Sequence, residues 1–390
     1  MNKKKINIFG VTGSIGKSTL QVLREEKSKN KYEPFVFSAN ENVDQLVKDC
    51  LEFKPRHAVI ANESKYKILK KELFGTNIQP SGGKDALLEL ASERVNWSMS
   101  AIIGFAGVEV ALRCAEFSDV LALANKEALV CAGDLLLSKI NYHQNKLIPV
   151  DSEHSAIYQC LQGEIRKGLK KVILTASGGP FRNWTINDLN KATLEDALKH
   201  PNWDMGKKIT IDSASMFNKS LELIEAMHLF NVPFQEIQVV IHPQSIIHSM
   251  VNFKDGTTIA QLAVPDMKGP IGYALNYPER NELGIENINF TEVGQLEFFE
   301  PDFKKFHSLK IVETVGRNLN LGVIFNAAKE IAVEKFISGE INFLDMALLV
   351  EKAINEKSLR DLTKSENQTF LSLVDIDLAT REFSRNVNFY

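Results

Sequence analysis

Through the first 150 residues, short apolar runs alternate with stretches in which apolar residues return every three to four positions. "INIFG" precedes "SIGKSTLQVLREEK", and "EPFVFSAN" precedes "VDQLVKDCLEF". "HAVIAN", "WSMSAIIG", "DVLALAN" and "KLIPVD" continue the series. Short runs of this kind are strands and the 3.6-residue period marks helices, so the alternation predicts a parallel sheet with helices on its faces. Beyond Asp151 the pattern changes. "KKVILTASGG", the long alternating "FQEIQVVIHPQSIIHSMVNFKDGTTIAQLA" and "NINF" predict strands, with one covered face along the central run. Helices such as "SASMFNKSLELIEAMHLF" interrupt them. "NFTEVGQLEFFEPDFKKFHSLK" has little periodicity and is expected to be a linker, after which helix follows helix. The expected organisation is α/β: a parallel-sheet domain over 1–150, a central catalytic or connective α+β domain over 151–288, a linker over 289–310 and a C-terminal α-helical bundle over 311–390.

Composition narrows the function classes. At 390 residues with 44% hydrophobic positions, the chain can build two or three cores. A net charge of −3 argues against a protein-wide nucleic-acid surface. No segment approaches the ~20 apolar residues of a membrane span. The basic start "MNKKKINIFGVTG" breaks into glycine too soon for a signal-peptide core. The four cysteines, Cys50, Cys114, Cys131 and Cys160, form no CxxC pair, as expected of small buried residues in a reducing compartment. The chain is therefore expected to be cytoplasmic, with neither membrane nor nucleic acid as a partner.

"INIFGVTGSIGKSTLQVL" sets a loop with Gly10, Gly13 and Gly16 between a strand and an amphipathic helix. Such glycines let the backbone approach a phosphate, and the helix N-terminus adds N–H donors and a positive dipole end. "GKS" invites a phosphate-loop reading, that of a nucleotide-dependent kinase or ligase, but that motif needs four residues between its first glycine and the Gly-Lys pair, and Gly10 to Gly16 encloses five. A Rossmann-like dinucleotide turn of the GxxGxxG type fits better. At the second strand's end a carboxylate would select NAD and neutral donors NADP. "FSAN" offers Ser38 and Asn40, which favours NADP, while Glu41 follows at once.

"KLIPVDSEHSAI" places Asp151 and Glu153 around Ser152. On a strand they would share a face, which costs energy unless a cation lies between them; a helix start with an N-terminal cap is the other reading. A divalent cation would need a third hard ligand. "DSASMFNKSLELIEA" supplies one: with Asp212 as the cap, Asn218, Lys219 and Glu222 fall on one side of a helix. His242 and His248, six apart without an intervening carboxylate, are expected to be structural.

Six blocks, "GVTGSIG", "LANKEALV", "VDSEHSAI", "ASGGPFR", "HPNWDMGKKITIDSASMFNKSLELIEA" and "HPQSIIHSMV", together resemble the 1-deoxy-D-xylulose 5-phosphate reductoisomerase family, in family order over nearly the whole chain. The resemblance implies an NADPH-dependent, divalent-metal enzyme (Mg2+, Mn2+ or Co2+), in the cytoplasm and acting as a homodimer. Its substrate would be a small sugar phosphate, rearranged by a retro-aldol and aldol sequence and then reduced to 2-C-methyl-D-erythritol 4-phosphate for isoprenoid synthesis. It further implies Asp151, Glu153 and Glu222 as metal ligands. Lys126 and Ser152 would meet substrate hydroxyls, with Glu153 and Glu222 also at the substrate. Ser177, Ser213, Asn218 and Lys219 would cradle its phosphate, with His200 nearby and catalytic, and Trp203 in a lid spanning His200 to Lys208. Thr12, Gly13, Ser14 and Ile15 would line the cofactor pyrophosphate. Ser38, Asn40 and Asn42 would lie at its ribose, and Asn125, Glu127 and Gly206 elsewhere along it. Many family members carry Gly-Lys-Asn after the second strand; here the stretch reads "NENV".

Overall fold

A computed structural model of the chain describes residues 3–25, 31–199, 206–364 and 368–389. The chain forms two compact units, one of residues 1–128, 134–155 and 266–286, the other of 129–133, 156–265 and 287–390.

The first unit is built on a seven-stranded, wholly parallel sheet. Its strands are β1 (Lys4–Phe9), β2 (Tyr32–Ala39), β3 (His57–Ile60), β4 (Gln79–Gly82), β5 (Val95–Ser100), β6 (Ser118–Leu123) and β7 (Lys146–Pro149), in the order β4-β3-β2-β1-β5-β6-β7. The apolar runs are its central strands because both faces are covered: Ile6, Ile8, Phe9, Val36, Phe37 and Met99 are all inaccessible to solvent. β4, "QPSG", has no apolar run and was not expected. It is an edge strand, where a proline costs no ladder bond and half-exposed residues suffice. β1 lies between β2 and β5, so strand order reverses there, and the carboxyl ends of these strands are where sheets of this kind take their ligands. Helix Lys268–Asn276 also belongs to this unit and packs on helix Ser14–Glu25. The Trp97 indole N–H donates to the Ala274 carbonyl at 3.0 Å, and the Tyr32 hydroxyl to Asn276 Oδ1 at 2.8 Å, both buried.

The second unit carries a four-stranded mixed sheet, β8 (Leu169–Ala176), β9 (Ile237–Ile241), β10 (Ile247–Phe253) and β11 (Thr258–Leu262), in the order β11-β10-β8-β9. The long alternating run thus folds as three strands. It breaks at a turn where the Ser245 N–H meets the His242 carbonyl and φ of Ser245 is 53°, and again at a hairpin through Gly256, φ 92°. "NINF" forms no strand: the Asn289 side chain accepts from Thr291 N and caps the short helix Phe290–Val293. His242 is structural. One ring nitrogen bonds the Glu297 carbonyl, the other accepts from Ile246 N, and the ring stacks on Phe298. The C-terminal helices Ser308–Gly316, Gly322–Ser338, Asp345–Asn355, Lys357–Leu362 and Phe370–Asn386 form a bundle. Gly322–Ser338 is buried nearly all round, as a central helix must be. No described helix is long and apolar enough to cross a membrane.

Candidate active site

The glycine loop takes the form the dinucleotide turn requires. Gly10 has φ 89°, and its N–H and that of Val11 reach back to Ser38. A Cβ on Gly16 would collide with the Gly10 and Val11 carbonyls, so only glycine lets the helix start this close to β1. The first turn of helix Ser14–Glu25 holds no acid. Thr12, Gly13 and Ile15 are half-buried and Ser14 exposed, leaving N–H groups and the dipole end for an anion. This arrangement fits a cofactor pyrophosphate.

The three residues expected at the ribose differ in availability. Ser38 is buried and its hydroxyl accepts from Gly10 N, so it shapes the loop. Asn42 caps helix Val43–Phe53 by accepting from Gln45 N at 3.1 Å. Asn40 is exposed.

Asn125 caps helix Lys126–His143 through Ala128 N at 2.7 Å. Its amide donates to the carbonyls of Ile102 and Gly104 and to the Glu127 carboxylate. One side chain therefore ties the turn after β6 to the loop after β5. A Cβ at Gly107 would strike both Ile102 and Asn125, so that position is closed to larger residues.

Asp151 and Glu153 do not share a strand face. β7 ends at Pro149 and Ser152 opens helix Ser152–Cys160, placing Glu153 in its first turn. The helix-start reading holds because Ser155 N bonds the Asp151 carbonyl, closing the first helical turn. The Ser152 hydroxyl donates to Glu153 Oε2 at 2.6 Å. Asp151 Oδ2 receives the Lys126 ammonium at 2.6 Å, with buried His154 Nδ1 at 3.3 Å. Burial pushes the Asp151 carboxyl upward, but the charge of Lys126 and the hydrogen bond and charge of His154 outweigh it and hold the group well below the usual carboxylate range. His154 was missed as a partner. Its signal is the i, i+3 spacing from Asp151, which is visible only once the segment is read as a helix.

In the second unit Ser177 follows β8, and its hydroxyl accepts from Gly179 N at 3.2 Å. A Cβ on Gly179, φ 64°, would press on the Ser213 carbonyl at 3.0 Å, so this glycine lets the Ser177 loop lie against the segment bearing Ser213. Asp212 is not a cap. "DSASMFNKS" contains the end of helix Lys207–Ala214, a left-handed Met216 (φ 60°) and the start of helix Phe217–Phe230. Asp212 lies inside the first of these helices, buried, with Lys329 Nζ 2.9 Å from its Oδ2. Glu222 is inaccessible to solvent. Asn218 donates to one of its oxygens and the Lys219 ammonium to the other, and Lys219 also bonds the Thr175 carbonyl. The expected cluster thus converges on Glu222. The Lys305 ammonium holds the Arg182 and Trp184 carbonyls at 2.6 and 3.1 Å, fixing the loop after Ser177 from behind. Gly206 is exposed ahead of helix Lys207–Ala214. His200 and Trp203 lie outside the described residues.

Asp151 and Glu153 in the first unit and Glu222 in the second each offer carboxylate oxygens, the ligand type that hard divalent cations take. Family models match along the chain. That for 1-deoxy-D-xylulose 5-phosphate reductoisomerase matches residues 6–133, and two for C-terminal domains of the same enzyme match 147–230 and 262–383. The enzyme of that name from Phocaeicola vulgatus is 44% identical over 381 residues, 97% of each chain. The chain belongs to the 1-deoxy-D-xylulose 5-phosphate reductoisomerase family. The family's enzyme from Ruegeria sp. (strain TM1040) is 46% identical over 90% of this chain and 89% of its own length. Among solved structures, the reductoisomerase of Zymomonas mobilis in complex with NADPH superposes with a TM-score of 0.91, at 39% identity over 98% of both chains. A reductoisomerase in complex with NADPH, fosmidomycin and magnesium gives 0.93 at 37% identity, over 98% of this chain and 97% of its own.

Proposed function

We propose that the protein converts 1-deoxy-D-xylulose 5-phosphate to 2-C-methyl-D-erythritol 4-phosphate, using NADPH and a divalent cation, as a step of isoprenoid precursor synthesis. The observation that carries this reading is the pair of prepared carboxylates, Asp151 beside Lys126 and Glu222 between Asn218 and Lys219, in a chain of this family. Asp151, Glu153 and Glu222 are assigned to one cation. When bound, the cation polarises the vicinal oxygens of the ketose phosphate and the nicotinamide supplies hydride. The remaining work falls to this chain's own groups. Lys126 keeps Asp151 ionised and places an ammonium where a substrate hydroxyl gathers negative charge. Ser152 orients Glu153 by donating to it and can accept from a second substrate hydroxyl. Ser177 and Ser213 offer hydroxyls to the phosphate, and Asn218 and Lys219 offer donors once Glu222 is engaged. His200 and Trp203 are assigned to cover the substrate and exclude water. Thr12, Gly13, Ser14 and Ile15 take the pyrophosphate, with Asn125, Glu127 and Gly206 further along the cofactor. The active form is assigned as a homodimer in the cytoplasm, on the strength of the family resemblance.

Loss of NADPH absorbance on mixing with the ketose phosphate, dependent on added magnesium or manganese and abolished by a chelator, tests the activity. Turnover undiminished by the chelator would overturn the metal assignment, and no turnover with any divalent metal would overturn the function.

A further inference from the structure

The end of β2 carries a charge that the cofactor assignment has not used. Glu41 stands two residues past Ala39, the last residue of β2, exposed at the carboxyl end of the parallel sheet. One neighbouring side chain reaches it. Asn62 Nδ2 donates to Glu41 Oε1 at 3.4 Å, and Asn62 N bonds the Asn40 carbonyl at 3.0 Å. The Asn62 amide cannot easily turn over, because its Oδ1 already accepts from Ser64 N at 3.0 Å and from the Ser64 hydroxyl at 2.7 Å. Its N–H face therefore stays toward Glu41. Among the described residues no cation pairs with Glu41, while Asp44 adds a second negative charge in the first turn of helix Val43–Phe53. Meanwhile the Ser38 hydroxyl and the Asn42 side-chain oxygen, on two of the residues expected at the ribose, accept from Gly10 N and Gln45 N and are thereby held to the loop and the helix start.

In a sheet of this kind the group just after the second strand meets the adenosine ribose. A carboxylate there accepts from a 2′-hydroxyl and repels a 2′-phosphate. We infer that Glu41, positioned by Asn62, is a specificity-determining residue that relaxes the cofactor choice, so that the protein binds NADH with an affinity within about tenfold of that for NADPH. The inference rests on the cofactor reading above and refines it. NADPH still binds through the glycine loop and the helix N-terminus, but its 2′-phosphate gains little from this end of the site.

Titration of the metal-free protein with each dinucleotide, followed by quenching of protein fluorescence and by calorimetry, reads the two affinities without turnover. Glu41→Gln is expected to tighten NADPH and weaken NADH, raising the ratio of their dissociation constants by roughly tenfold, the worth of one charge interaction of ~1.4 kcal/mol. Glu41→Lys is expected to raise it further, and Asn62→Ala to move it in the same direction by less. A parent ratio clearly above about tenfold in favour of NADPH, or a ratio that Glu41→Gln and Glu41→Lys both leave unchanged, would overturn the inference while leaving the cofactor reading intact. Binding of neither dinucleotide by the parent would overturn the cofactor reading, and this inference with it.

Discussion

Replacing Lys329 by methionine removes the ammonium 2.9 Å from the Asp212 carboxylate, at a place where the two side chains are only 5% and 9% exposed. At an effective dielectric of ~20 the attraction at this distance is about 6 kcal/mol, most of it offset by the cost of taking both ions out of water. The two costs part company in the variant. The attraction is lost, while Asp212 stays packed inside helix Lys207–Ala214 against the central helix of the bundle. Breaking one side of a buried pair typically costs ~3–5 kcal/mol, whereas replacing both ions by apolar groups is close to neutral. In a unit of roughly two hundred residues each kcal/mol moves Tm by ~2–4 °C, so Lys329→Met is expected to melt ~6–20 °C below the parent. The double variant Asp212→Leu/Lys329→Met should recover most of that loss. Differential scanning calorimetry of the parent, both single variants and the double variant gives the coupling directly. A Lys329→Met protein melting within about one degree of the parent would refute the reasoning, since the burial would then cost nothing without its counter-ion.

Three further outcomes follow from the geometry. Glu222→Gln should lower kcat/KM by about a hundredfold or more and blunt metal activation, yet leave NADPH titration unchanged; loss of NADPH binding would show that Glu222 supports the fold instead. Asn125→Ala removes a helix cap and two carbonyl contacts, so it should cost ~1–3 kcal/mol of stability and weaken the dinucleotide; an unchanged melt would deny the tie between the two loops. Burial pushes the Cys50 and Cys114 thiols up to about 12 and Cys160 to about 11. A raised thiol pKa leaves the thiolate scarce below it, so at pH 8 the native protein should react slowly with an aromatic disulfide reagent and fast after unfolding in urea. Rapid labelling of Cys50 or Cys114 in the native state would contradict this.

The sequence was most legible where one physical demand dominates. Strands covered on both faces must be apolar, so β1, β2, β3, β5, β6 and β7 stood out, as did a glycine loop whose Gly16 tolerates no Cβ. β4 stayed hidden because none of its four residues is buried, so nothing demands an apolar run there, and "QPSG" reads as a turn. "NINF" misled in the opposite sense: its alternation is that of a strand, but Asn289 finds a better use for its side chain as a cap. Asp212 shows the limit at the site. Its local pattern is that of an N-cap, and only Lys329, 117 positions away, explains why an acid is buried mid-helix. Likewise, the close spacing of Asp151 and Glu153 is plain in the sequence, but the ammonium that keeps Asp151 ionised comes from a residue 25 positions earlier. Local spacing carries capping and periodicity, whereas partners distant in sequence must be supplied by topology.

The helix Lys268–Asn276 has a consequence for how the chain is made. It supplies the acceptors for the Trp97 indole and the Tyr32 hydroxyl, and it covers part of helix Ser14–Glu25, yet it lies beyond the entire stretch 156–265. On the ribosome the seven strands are complete long before this cover exists. With roughly 110 more residues to add at ~5–20 per second, the sheet waits on the order of ten seconds with an aromatic patch open to water. A nascent chain stalled in that interval presents the kind of surface that chaperones bind. Fragments ending near residue 155 should associate or require detergent, whereas the same fragment joined through a short linker to residues 266–286 has the pieces to close.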